Sequence, residues 1–131
     1  MSTIPDLKLS SELQELYLEN KEWISQLQFL KDEFRFFTKL FDEKQMAAKK
    51  QSPEQVLMIE DNLTQLHQKI KKLEELTTKH QSLIESILKD QDQSIGLELI
   101  EQNVVIRKEI KLLLKTDRLI KDDLFAFVEK I

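Results

Sequence analysis

Apolar residues recur at alternating steps of three and four residues along most of this chain, and the pattern is most regular between residues 53 and 89. Heptad spacing of this kind places the apolar side chains on one face of an α-helix. Ser52 is a good N-cap residue, and Pro53 suits the first helical position. The sequence therefore predicts a helix over about 53–89 with these inward positions: Val56, Ile59, Leu63, Leu66, Ile70, Leu73, Thr77, His80, Ile84 and Ile87.

The segments on both sides show the same spacing and predict two more helices, at about 11–50 and 95–130. Residues 1–9 have a mixed composition and contain Pro5, so we expect a flexible N-terminal tail there. The inward positions of the first helix are Leu13, Leu16, Asn20, Trp23, Leu27, Leu30, Phe34, Phe37 and Phe41, and those of the third are Leu99, Asn103, Ile106, Ile110, Leu113, Asp117, Ile120, Leu124 and Phe127.

Three long helices joined by short connections must alternate in direction. The chain has one Gly and two Pro, which is typical of long helices with few turns. We therefore predict an all-α fold in which residues 10–131 form a single domain. This domain is an elongated antiparallel three-helix bundle, up-down-up and coiled-coil-like, which could dimerise into a larger bundle.

Composition argues against several functional classes. The chain has no Cys, a net charge of −4 and no apolar run long enough to cross a membrane, so we expect a soluble, cytoplasmic protein that does not bind nucleic acid. Thr64 and Thr77 occupy the positions three residues before His67 and His80, where a di-metal bundle would need Glu. A single Gly does not support a nucleotide-binding loop. We predict no metal, no cofactor and no enzymatic activity.

Five polar residues occupy inward positions of the heptad pattern: Asn20, Thr77, His80, Asn103 and Asp117. The first four fall near one level of the bundle, where they could fix the helix register at some cost in stability. The alternative is a small-ligand site at this polar end, near Tyr17. Asp117 stands apart, because an unpaired buried carboxylate is costly. Lys31 or Lys121 could pair with it, or the third helix could be rotated at this position.

Charged residues form two stripes on predicted helix surfaces. Glu12, Glu15, Glu19 and Glu22 share one face of the first helix, and a basic face on the third comprises Lys108, Lys111, Lys115 and Arg118. Residues 107–121 could dock on an anionic membrane or an acidic partner through that basic face. An ordinary solvated face explains the same pattern and is the favoured interpretation.

A second set of apolar residues lies outside the heptad pattern of the first and third helices. A three-helix bundle cannot bury two faces of one helix, so these residues indicate contact with another chain. We predict a non-catalytic protein-interaction or structural module that binds a second copy, or another helical protein, through this surface. Its candidate interface residues are Leu18, Phe29, Phe36, Leu40, Val105, Leu112 and Leu119.

Overall fold

The chain forms three α-helices in a computed structural model that describes residues 4–89 and 96–130, with side chains from residue 11 onward. The helices are α1 (Ile4–Lys49), α2 (Pro53–Lys89) and α3 (Leu97–Glu129). At 1.5 Å per residue, α1 is about 70 Å long. The described part of the chain contains no strand. The predicted all-α three-helix bundle is therefore confirmed.

Contacts between the helices establish their directions. Asn20 and Lys31 of α1 reach Gln81 and Glu74 of α2, so residue numbers rise on one helix as they fall on the other. By contrast, Glu19 and Glu33 of α1 pair with Arg107 and Lys121 of α3, so these two helices run parallel. The bundle consequently has the predicted up-down-up topology.

The connection between α1 and α2 is a short turn at residues 50–52. The Ser52 amide donates to the Ala48 carbonyl at 2.8 Å, and the Val56 amide donates to the Ser52 carbonyl at 3.1 Å. The Ser52 carbonyl thus accepts the first hydrogen bond of α2, and Pro53 is the first helical residue, as the sequence pattern predicts. The second connection falls within residues 90–95, which lie outside the described residues.

The observed start of α1 differs from the prediction. The helix begins at Ile4, so residues 4–9, which we expected to form a tail, are helical. Pro5 stands in the first turn, where its missing amide hydrogen breaks no helical hydrogen bond. Pro5 was therefore a weaker signal against helix than we assumed.

The hydrophobic core consists of two clusters of unequal size. The larger extends from Trp23, Leu73 and Ile106 to the end of the bundle that contains Phe41 and Phe127. The smaller comprises Leu13, Ile84, Ile87 and Leu99, with Leu16 and Tyr17 packed against it. All the predicted inward positions of α2 and α3 are buried. Within the described ranges, none of the helices has the length and hydrophobicity needed to span a bilayer.

Candidate functional site

A layer of polar side chains separates the two hydrophobic clusters. We call Asn20, Thr77, His80 and Asn103 the polar layer; all four are buried. Asn20 Nδ2 of α1 donates to the Thr77 carbonyl at 3.0 Å and to Gln81 Oε1 at 2.9 Å, which links α1 to α2. Thr77 Oγ1 donates to the Leu73 carbonyl within α2 at 2.8 Å. The layer therefore fixes the axial register of α1 relative to α2.

His80 connects α2 to α3 within the same layer. Its Nε2 lies 3.0 Å from Asn103 Oδ1 and its Nδ1 lies 2.6 Å from Gln102 Oε1. Asn103 Nδ2 donates to Glu19 Oε1 at 2.9 Å, and because a carboxylate only accepts, this bond orients Asn103. Asn103 Oδ1 therefore accepts a hydrogen bond from His80 Nε2. Both ring nitrogens are engaged by protein groups, and neither is available to a ligand.

Glu19 joins the polar layer from the edge of the α1–α3 interface. Arg107 of α3 donates two hydrogen bonds to its carboxylate, at 2.7 and 3.0 Å. The Arg107 hydrogen bonds, with help from Asn103, outweigh burial and lower the pKa of Glu19 below its ordinary value. The sequence pattern placed Glu19 only in the acidic surface stripe. Its role is visible once the parallel register of α1 and α3 is known.

A second polar cluster lies in the same interface, further along the bundle. Asp117 is 4% exposed and lies beside the carboxyl group of Glu33, within hydrogen-bonding reach. Burial, then the hydrogen bond and negative charge of Glu33, raise the pKa of Asp117 to about 7. Burial also acts on Glu33, but hydrogen bonds from Asp117 and Lys121 lower its pKa on balance. Below about pH 7 Asp117 is therefore protonated beside ionised Glu33, and we call these two residues the acid pair.

Neither of the two candidate lysines forms an ion pair with Asp117. Lys121 pairs with Glu33 at 2.6 Å and reaches Asp117 only through its charge, whereas Lys31 pairs with Glu74 of α2 at 3.1 Å. Asp117 Oδ1 is buried and accepts no hydrogen bond. A neutral carboxyl group tolerates this situation better than an ionised one would.

The candidate interface residues are exposed, with one exception. Phe29 and Phe36 are 59% and 53% exposed. Leu40 is only half-buried and packs against the larger core cluster, so its place in the interface prediction needs correction. It lies on the edge of α1 that faces α3, four residues after Phe36. The remaining members, all exposed, are Leu18, Val105, Leu112 and Leu119.

These exposed residues do not form one surface. Phe36 contacts Phe125 of α3 edge to face, with ring centroids 6.4 Å apart, so this part of α1 faces the α1–α3 side of the bundle. We call Phe29, Phe36 and Phe125 the aromatic patch. Phe125 follows Lys121, which pairs with α1, by one helical turn and shares its side of α3.

The aliphatic residues of α3 lie on its other side. Gln102 faces α2 through His80, and Val105 follows it by three residues, so Val105 lies beside the α2–α3 edge. Leu112 and Leu119 repeat this position at seven-residue steps. We call these three residues the aliphatic row. Its separation from the aromatic patch reflects the rotation of α3, which heptad spacing does not determine.

The basic face separates the two apolar surfaces on α3. Lys111 and Arg118 lie toward Phe125, and Lys108 and Lys115 lie toward the aliphatic row. All four side chains are exposed, and none forms an ion pair with another residue in the described ranges. The basic face is therefore exposed to solvent.

An open cleft of about 400 Å³ lies between α1 and α3 near the polar layer. It is lined by Glu12, Glu15, Leu16, Glu19, Ile100 and Arg107. Glu19 and Arg107 are already paired with each other, and the buried His80 and Asn103 do not line the cleft. This cleft is therefore open to solvent and separate from the buried polar layer.

Comparisons with protein-family models, with curated proteins and with solved structures found no match to this chain. Its functional interpretation therefore depends on the surfaces and clusters described above.

Proposed function

We propose that this protein is a non-catalytic binding module, whose partner is a second copy of the chain joined through the aromatic patch. The single observation that carries the proposal is the exposure of Phe29 and Phe36 on one side of α1, next to Phe125. Burial of such side chains releases about 25 cal/mol per Å² of apolar surface. A cluster of aromatic residues is a frequent centre of protein interfaces.

The polar clusters support a structural role within this module. The polar layer and the acid pair form hydrogen bonds among themselves and with Glu19, Arg107 and Lys121. Groups paired in this way fix the register of the helices rather than act on a substrate. The module therefore presents a rigid helical surface to its partner.

The available apolar area suits a dimer of ordinary size. A phenylalanine contributes roughly 150–250 Å² when buried, so the half-exposed patch, with Leu18, offers about 400 Å² per copy. A typical interface buries about 800 Å² per partner, of which slightly more than half is apolar. A two-fold arrangement that opposes the patch of one copy to the patch of the other would satisfy this requirement.

The test is the molar mass in solution, measured by size-exclusion chromatography with light scattering at several protein concentrations. We expect a species near twice 15.6 kDa, which Phe29→Ser with Phe36→Ser converts to the monomer without loss of helicity by circular dichroism. Leu57→Ser with Met58→Ser is the matched control, because these α2 residues are equally exposed and lie outside the patch. A wild-type monomer at millimolar concentration, or a dimer that the control disrupts equally, would refute the proposal.

A further inference from the structure

The α2–α3 side of the bundle combines an apolar row with unpaired lysines. Val105, Leu112 and Leu119 of the aliphatic row are 54%, 55% and 58% exposed. Their seven-residue steps place them along one line about 21 Å long on α3. On one flank of this line lie Lys108 and Lys115 of the basic face.

The opposite flank is supplied by α2. Glu74 and Gln81 of α2 face α1, because they contact Lys31 and Asn20. Lys72 and Lys79 precede them by two residues each, which is about 200° around the helix, so they lie on the outer edge toward α3. Both are exposed, and neither has an ion-pair partner among the residues that the structure describes.

The lysines of α2 lie at the same levels along the bundle axis as the aliphatic row of α3. His80 of α2 meets Gln102 and Asn103 of α3, and the helices run antiparallel. Lys79 therefore lies near the level of Val105, and Lys72 lies near the level of Leu112. The result is an apolar line with two lysines on each side and a single carboxylate, Glu109, between the levels of Val105 and Leu112, so the surface beside the row has a net positive charge.

We propose that the α2–α3 surface formed by the aliphatic row and its flanking lysines binds an acidic amphipathic α-helix of another protein. The apolar face of that helix would cover the aliphatic row, and its Glu or Asp residues would pair with the lysines on both flanks. Charge complementarity identifies the partner, because a helix with acidic residues beside its apolar stripe is the reciprocal of this surface. The proposal concerns a different surface from the aromatic patch and does not depend on dimerisation.

The geometry favours a helix over an anionic membrane. Side chains at seven-residue steps match the spacing of a second helix packed alongside, and about four turns would cover the row. The row lacks Trp and Phe, which together with Leu form the apolar face of helices at a bilayer interface.

The probe is a fluorescein-labelled synthetic helix of four heptads, with Leu at its a and d positions and Glu on both sides of that stripe. Binding is followed by fluorescence anisotropy as the protein is added. We expect saturable binding that weakens at least about fivefold between 50 and 500 mM NaCl, because the flanking charges are screened. A second peptide with Lys in place of every Glu should bind at least about tenfold more weakly, because like charges then meet.

Variants locate the binding on this flank. Leu112→Ser should weaken binding of the acidic peptide about fivefold or more, because it removes the centre of the row. Lys108→Glu with Lys115→Glu should weaken it about tenfold or more, because the attraction becomes repulsion. The controls are Leu57→Ser and Lys39→Glu, which alter equally exposed residues elsewhere and should leave the affinity unchanged.

Three outcomes would overturn the proposal. The first is no binding of the acidic peptide at 100 µM protein and 50 mM NaCl. The second is binding that the row and lysine variants leave unchanged. The third is flotation with vesicles of 30% phosphatidylserine and 70% phosphatidylcholine, lost in the double lysine variant, by a protein that does not bind the peptide; this would assign the flank to membranes. Dimerisation is tested by the molar mass and not by peptide binding, so none of these results decides whether the protein is a dimer.

Discussion

At the scale of single residues, Asp117 shows how a buried carboxyl group is accommodated. It lies in the α1–α3 interface, and Lys121 neutralises its neighbour Glu33 rather than Asp117 itself. A proton on Asp117 removes the charge that burial would penalise and provides the hydrogen that Glu33 accepts. The stability of the bundle should therefore depend on pH in a defined direction.

Asp117→Asn tests this dependence. Because the folded pKa is about 7 and the ordinary value is 3.8, the folded state holds a proton that the unfolded state loses, so wild-type stability falls as pH rises through this interval. Asn donates the same hydrogen bond without titrating. We expect the free energy of unfolding of the variant, relative to wild type, to rise by about 2–4 kcal/mol between pH 4 and pH 8, measured by urea denaturation.

Asp123→Asn is the control for this experiment, because Asp123 is exposed on the same helix. Its unfolding free energy should follow the wild-type pH profile. Parallel profiles for wild type and Asp117→Asn would show that Asp117 carries no proton in the folded protein at neutral pH.

Asn103 provides a second prediction at this scale. Asn103→Ala leaves His80 Nε2 buried without an acceptor and removes a donor from Glu19. We expect a loss of about 1–3 kcal/mol in the free energy of unfolding, measured by urea denaturation. Thr78→Ala, an exposed position near the same level, should change stability by no more than about 0.5 kcal/mol. Equal effects of the two substitutions would contradict a stabilising role for the polar layer.

At the scale of the helices, α1 carries two different apolar surfaces. Phe37 is fully buried, whereas its neighbour Phe36 is exposed on the aromatic patch. The heptad pattern distinguished these adjacent residues correctly. It did not determine which neighbour each outward side would face.

Substitution of these adjacent phenylalanines should separate the two surfaces. Phe37→Ala should lower the free energy of unfolding by about 3–5 kcal/mol, because it leaves a cavity in the larger cluster. Phe36→Ala should lower it by about 1 kcal/mol or less at micromolar concentration, because that side chain is half in solvent. Thermal and urea denaturation measure both effects. Similar losses would mean that Phe36 belongs to the core.

The sequence was most informative about the elements and least informative about their relations. The ten predicted inward positions of α2 are all buried, because heptad spacing directly reflects helix periodicity. Glu33 was missed as the partner of Asp117, since the pairing depends on the relative height and rotation of α1 and α3. The same rotation separates the aliphatic row from Phe29 and Phe36, which the sequence could not show.

At the scale of the whole molecule, the bundle has two apolar surfaces of different character on different sides. The aromatic patch lies on the α1–α3 side, and the aliphatic row with its lysines lies on the α2–α3 side. The basic face lies between them on α3. If both proposals hold, one molecule can bind a copy of itself and an acidic helix at the same time.

The two surfaces should therefore be separable by mutation. Phe29→Ser with Phe36→Ser should abolish the dimer and leave the affinity for the acidic peptide within about twofold, because the altered side chains do not touch the row. Leu112→Ser should weaken peptide binding and preserve the dimer. Light scattering and anisotropy on both variants provide the measurement. Loss of both properties in either variant would indicate a single shared surface.

The odd number of helices has a mechanical consequence. Because α1 and α3 run parallel, Ile4 and Lys130 lie at opposite extremities of the rod. At 1.5 Å per residue they are roughly 60 Å apart. A domain fused before α1 and another fused after α3 would be held at that distance, so the bundle can serve as a stiff ruler for fluorescence energy transfer between two dyes.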